Sequence, residues 1–200
     1  MRSRIPHDPQ PHPHPRTGWR RTVAAACSAV LITAGLAACG SAGAPAGPAV
    51  VTACAPSGLK VTVDASEAGT AAGSTYYPID FTNGSAASCR LDGYPAAWFA
   101  TSAGQRLGDA AAWDHAVSAR PVTLAPGATA HSWLQVTDAA NYPEKACHPV
   151  TARMLLIRAP GVTGASRVRH AVPACARAVH GHGILRVQPV LPGRGTRGTA

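Results

Sequence analysis

Leu59-Lys60-Val61-Thr62-Val63-Asp64 puts apolar side chains at every second position and polar ones between them. That period of two marks a strand with one face in a core and the other in solvent. The pattern repeats downstream. Glu67 to Ser74 is a Gly/Ala loop, and Tyr77, Ile79 and Phe81 share one face of a second strand that stops at Asn83-Gly84. Cys89 to Asp92 resumes extended structure, and Gly93-Tyr94-Pro95 breaks it. Ala96 to Thr101, with Trp98 and Phe99, reads as a third strand.

Further along, Gln105 to Arg120 has no clear period, with one helical turn expected over Asp109 to Trp113. Pro121 to Leu124 is a short edge strand, since proline cannot donate to a ladder. Ala125-Pro126-Gly127 turns the chain into Ala128 to Thr137, where Ala130, Ser132, Leu134 and Val136 share a face. Asp138 to Pro149 is a loop, and Val150 to Arg158 is apolar on both faces, as in a central strand. A weaker strand is expected near Val168 and a last one over Ile184 to Val190. Roughly seven to nine short strands with turn chemistry between them predict an all-β chain, an antiparallel, immunoglobulin-like β-sandwich.

Upstream of this domain the composition changes. The first 22 residues carry Arg2, Arg4, Arg16, Arg20 and Arg21 against one acid, Asp8, and Val23 to Ala38 is free of charge. Leu36-Ala37-Ala38-Cys39-Gly40 then has the form of a lipobox: an aliphatic residue, two small residues and a cysteine. Positive segment, apolar segment and small-residue cleavage site come in the order of a secretory signal. Sixteen residues fall short of the ~20 a spanning helix needs. The expected organisation is therefore a cleaved signal peptide over 1–38 and a lipidated Cys39 with a flexible linker over 39–53. The folded domain covers 54–190, followed by a disordered basic tail over 191–200. Arg20-Arg21 leaves twin-arginine export open beside the general route. Two acyl chains on one sulfur hold a protein stably to a bilayer, which implies an extracellular, membrane-anchored location.

The 18 Lys and Arg outnumber nine Asp and Glu, and the excess is uneven. Residues 148–200 hold eight arginines and no acid, whereas residues 40–147 hold five basic residues against eight acidic ones. Such a half suits anionic lipid headgroups, wall polymers or another envelope protein, or simply a solvated face. Nucleic acid is not the expected partner, because the arginines are not interleaved with aromatics.

Cys27 lies within the apolar segment, so Cys54, Cys89, Cys147 and Cys175 remain after processing. An even number in an oxidising compartment implies two disulfides. Three pairings are possible; the favoured one is Cys54–Cys89 with Cys147–Cys175. No pair has the close spacing of a zinc site.

Cys89-Arg90-Leu91-Asp92-Gly93-Tyr94-Pro95, with Asn83-Gly84 before it, Leu124-Ala125-Pro126-Gly127 after it and the late cysteine pair, resembles one family. It is the actinobacterial exported lipoprotein domain of unknown function 4232, and the likeness covers about residues 54 to 189. The resemblance implies a secreted, often lipid-anchored sandwich with two disulfides, and implies no activity. Independently of it, Leu91 is expected to pack inward, Gly93 to adopt a positive φ, and the Tyr94 hydroxyl to bond backbone at a sheet edge.

Candidate chemistry is thin. There is no G-x-S-x-G, and the acids are scattered. Asp109, Asp114 and His115 around Trp113 form the nearest approach to a polar site, read as an exposed loop. His180-Gly181-His182 on an extended strand, with His170 as a third ligand, could chelate Cu²⁺ or Zn²⁺, although no carboxylate lies nearby in sequence to orient the rings. Trp113, Trp133, Tyr76 and Tyr142 could form a carbohydrate-stacking platform, or be needed in a core with only ten aromatic residues in the chain. The expected function is a non-enzymatic binding or interaction module without a cofactor. Extracytoplasmic metal binding through His170, His180 and His182 is the alternative, and a cell-wall-acting enzyme the weakest reading.

Overall fold

A computed structural model describes residues 50–179 and 183–197. The described residues form thirteen strands: β1 Leu59–Val63, β2 Gly69–Ala71, β3 Ser74–Asn83, β4 Cys89–Leu91, β5 Ala96–Ala100, β6 Arg106–Leu107, β7 Ala112–Trp113, β8 Val122–Leu124, β9 Thr129–Thr137, β10 Pro149–Arg158, β11 Ser166–Cys175, β12 Leu185–Val187 and β13 Leu191–Pro192. The larger sheet has the order β1-β3-β9-β12-β7, with β2 on β3 and β13 on β9; the smaller has the order β11-β10-β5-β6, and β4 and β8 form a separate ribbon. A short helix, α1 Glu144–Cys147, precedes β10.

The chain thus forms the all-β antiparallel sandwich that its alternating sequence predicts. Ile79, Phe81 and Leu134 from the larger sheet and Phe99, Leu155 and Ile157 from the smaller are all fully buried in one core. Each such side chain contributes about 1.5–3 kcal/mol relative to exposure. β3 runs through the middle of its sheet although it contains Pro78. The Pro78 carbonyl accepts from Asp64 N at 3.2 Å just past the end of β1, so the missing N–H faces the place where the neighbouring ladder stops.

Asn83 ends β3 and is fully buried. Its amide donates to the carbonyls of Ala87 and Leu124 at 2.9 and 3.0 Å, and its Oδ1 accepts from Ser85 N at 3.0 Å and Ser85 Oγ at 2.6 Å. A residue read as a stop signal is the hub of a turn.

Several local expectations are corrected. The loop before β3 contains β2, which folds back on Thr75 and Tyr76 as a hairpin. No helical turn forms over Asp109 to Trp113: Ala111 N donates to Ala97 O at 2.8 Å and Ala112 pairs with Arg186, so tertiary pairing overrides alanine's helical preference. β7 and β12 run parallel, an exception in an otherwise antiparallel sheet. The loop after β9 includes a 3₁₀ turn, Ala139–Asn141, whose Ala140 N is capped by the Asp138 carboxylate, and then α1.

The largest correction concerns the tail expected to be disordered from residue 191. Leu191 and Pro192 pair with His131 and Ala130 of β9. Gly193 N donates to Thr129 O at 3.0 Å and Gly193 O meets His131 Nδ1 at 2.9 Å. The chain then crosses the outer face of the larger sheet. Asp80, 1 % exposed, accepts from Arg194 Nε at 3.2 Å and from Gly195 N at 3.1 Å. Arg197 N donates to Glu67 Oε2 at 3.1 Å. Gly195 lies so close to the sheet that a β-carbon there would be 2.4 Å from Pro78 Cβ. Residues 191–197 are thus a strap, held because it completes a buried carboxylate. Residues 198–200 and the expected signal, lipid and linker segments (1–38, Cys39 and 40–49) lie outside the described residues.

Candidate functional site

Both favoured disulfides form. Cys54–Cys89 ties the entering chain to β4, and Cys147–Cys175 joins α1 to the end of β11. Their loops span 35 and 28 residues, so each bridge stabilises by about 3–4 kcal/mol through the unfolded chain. Leu91 is fully buried beside the first bridge.

At one edge of the sandwich the C-x-L-x-G-Y-P segment meets β7. Gly93 has φ +103°, which turns the chain after β4 and places its carbonyl to accept from Val190 N at 2.9 Å. Tyr94 follows. Its hydroxyl donates to Val117 O at 3.3 Å, which leaves His115 Nδ1 as the donor in the 3.2 Å contact between imidazole and hydroxyl. The indole of Trp113 stacks on Tyr94 at 5.2 Å between centroids, with 14° between planes, and His115 packs edge-on to both rings. Trp113 itself is 55 % exposed. The indole is anchored from below by backbone, since Trp113 pairs with Val187 and Asp114 N donates to Val187 O at 2.8 Å.

Of the aromatic residues considered from sequence, only Trp113 is strongly exposed. Trp133 is buried at 1 % exposure, and Tyr76 and Tyr142 are half-buried. The partner that was missed is Tyr94. It was legible as a capping tyrosine, but its contact with a residue 19 positions later depends on the two-residue parallel pairing of β7, which leaves no periodic signal. Asp114 spends its Oδ1 on Ala116 N at 3.0 Å, a local turn, and Asp109 is exposed with no hydrogen bond to Asp114 or His115.

His170 lies on the inward side of β11, half-buried, with its ring edge-on to Tyr77 at 4.5 Å. Burial holds its pKa below the usual imidazole value, and its buried Nε2 has no hydrogen-bond partner. His180 and His182 lie outside the described residues, so the proposed three-histidine set is represented by His170 alone. Among the described residues no group of three His, Cys, Asp or Glu is placed to hold a metal ion.

The domain family described as "Domain of unknown function (DUF4232)" matches residues 54–191. The chain belongs to this family. No curated protein and no solved structure matches it. The DUF4232 match begins at the first disulfide cysteine and ends in β13, so it contains both bridges and the Trp113–Tyr94 edge. It stops short of Arg194 and Gly195, which close the outer face over Asp80.

Proposed function

We propose that this DUF4232 chain is a non-enzymatic binding module held at the outer face of the cytoplasmic membrane through an acylated Cys39. The observation that carries the reading is the exposed Trp113 indole, held flat against Tyr94. Leaving about half of so large an apolar ring in water forgoes roughly half of the ~1.5–3 kcal/mol that full burial of a large apolar side chain gives. A rigid indole with polar neighbours at its rim (His115, Asp114) suits a ligand with an apolar face and hydroxyls around it, such as a sugar ring of an envelope glycan. Two disulfides in one small domain favour an oxidising compartment, and the lipobox supplies the anchor.

Two measurements test this. Mass spectrometry of the protein recovered from bacterial membranes is expected to find an amino-terminal Cys39 carrying acyl chains, with the four other cysteines inert to iodoacetamide. A full-length cytosolic chain with reduced thiols refutes the anchor. Titration of envelope glycans against residues 40–200 is expected to shift tryptophan emission, and Trp113→Ala to weaken binding at least about ten-fold, as loss of a central aromatic contact does. Because Trp113 is outside the core, unchanged affinity in a folded variant refutes the binding edge.

A further inference from the structure

The outer face of the smaller sheet gathers arginines from three of its strands. β6 contributes Arg106, β10 contributes Arg153 and Arg158, and β11 contributes Arg167 and Arg169; all five are exposed. No Asp or Glu occurs on β5, β6, β10 or β11, nor in the turns 101–105 and 159–165 that join them. Among the described residues the ion pairs are Arg194–Asp80 and Arg197–Glu67, so none of the five is neutralised by a carboxylate.

The guanidinium groups are also positioned. Arg106 lies 4.1 Å and Arg158 5.8 Å from the centroid of the Trp98 ring, which stands on β5 between them. The Arg167 guanidinium packs on the turn at Gly104, where a β-carbon would be 3.0 Å from its central carbon. Arg153, Arg167 and Arg169 line one open cavity of about 700 Å³ together with Ser102. Arginine forks are matched to phosphate oxygens. The first described residues pair with Arg90 of β4, and a β-carbon placed at Gly161, in the turn after β10, would lie 3.9 Å from Ala53 Cβ. Fourteen residues separate Cys39 from Cys54, and a coil of that length spans only about 20 Å.

We propose that this arginine face is a docking surface for anionic phospholipid headgroups, which lays the domain on the membrane that anchors it. The orientation rests on the anchoring reading above; the face itself does not. The short sequence separation between the expected lipidated Cys39 and the domain favours a lipid surface over a soluble phosphate polymer. A polybasic segment gains about 1 kcal/mol per arginine near such a surface, which is about five-fold in partitioning.

Among the described residues every core side chain and both disulfides fall between Cys54 and Val190, so residues 40–200 hold the whole described core without an acyl chain. This unlipidated protein is sedimented with vesicles of phosphatidylcholine alone or mixed with phosphatidylglycerol. Binding is expected only with phosphatidylglycerol, weakening with salt, and about five-fold weaker for each of Arg158→Gln, Arg167→Gln and Arg169→Gln. Arg90→Gln and Arg120→Gln, which remove the same charge elsewhere, are expected to leave it unchanged. Equal binding to phosphatidylcholine, equal losses in the control variants, or uptake of poly(glycerol phosphate) without uptake on vesicles overturns the proposal. If vesicle binding fails while Cys39 is found acylated, the anchor stands and the docking face falls. If the vesicles bind and Cys39 carries no lipid, the reverse holds.

Discussion

The two outer faces of the sandwich are built from the same kind of strand and finished in opposite ways. On the larger sheet, Pro78, Asp80 and His131 are all buried where residues 191–197 cross over them, and Arg194 answers the Asp80 carboxylate. Among the described residues no segment crosses the smaller sheet, and Trp98 is flanked by the guanidinium groups of the exposed Arg106 and Arg158. A sheet face can be closed by a backbone strap or by long amphipathic side chains. The first fixes a structure, and the second leaves a charged surface available.

The strongest way to break the comparison is to release the uncovered sheet at its base. Cys147–Cys175 clamps the end of the β10–β11 ladder, where Pro149 pairs with Cys175. The double variant Cys147→Ser, Cys175→Ser is expected to lose about 3–4 kcal/mol in a urea titration. A loss well under about 1 kcal/mol means that the ladder holds itself.

A smaller loss is expected on the covered sheet. Gly195→Ala puts a β-carbon against Pro78, lifts the strap and strips Asp80 of its backbone donor. It is expected to cost about 2–3 kcal/mol and to speed amide exchange in β3 and β9 while leaving β10 and β11 protected. Uniform loss of protection removes the distinction between the faces.

The smallest effect sharpens the comparison at the interior between the sheets, through His170. Burial lowers its folded pKa, so between that value and the ordinary imidazole pKa the unfolded chain binds more protons than the folded one. Its neutral form therefore supports the fold fully above the ordinary value, and that support declines as pH falls toward the lowered one. The stability difference between pH 7.5 and 5 is expected to shrink in His170→Gln; an unchanged difference shows that other groups carry the acid sensitivity.

What was legible in the sequence was what repeats locally. The alternation in Leu59 to Val63 and the doubly apolar run toward Ile157 gave β1 and β10 because burial of one or both faces writes itself into adjacent residues. The cysteine pairing was favoured correctly from the sequence. The strap was not legible: Pro, Gly and Arg over 192–197 have the composition of a loose tail, and the partner that orders them, Asp80, lies 114 residues earlier. The same holds for Trp113 and Tyr94, whose stacking depends on two-residue strands too short for a period. At the site, Gly93 and Tyr94 were readable as backbone devices, and their role in presenting an indole was not.

The strap also sets an order of events. A polypeptide emerges from ribosome or export channel from its amino end, and Asp80 appears long before Arg194 and Gly195. Until those residues arrive, the Asp80 carboxylate lacks the two donors that it has in the folded domain. The last core residues, Leu185, Val187 and Val190, come only just before the strap, so core and latch are both delivered by the final stretch of the chain.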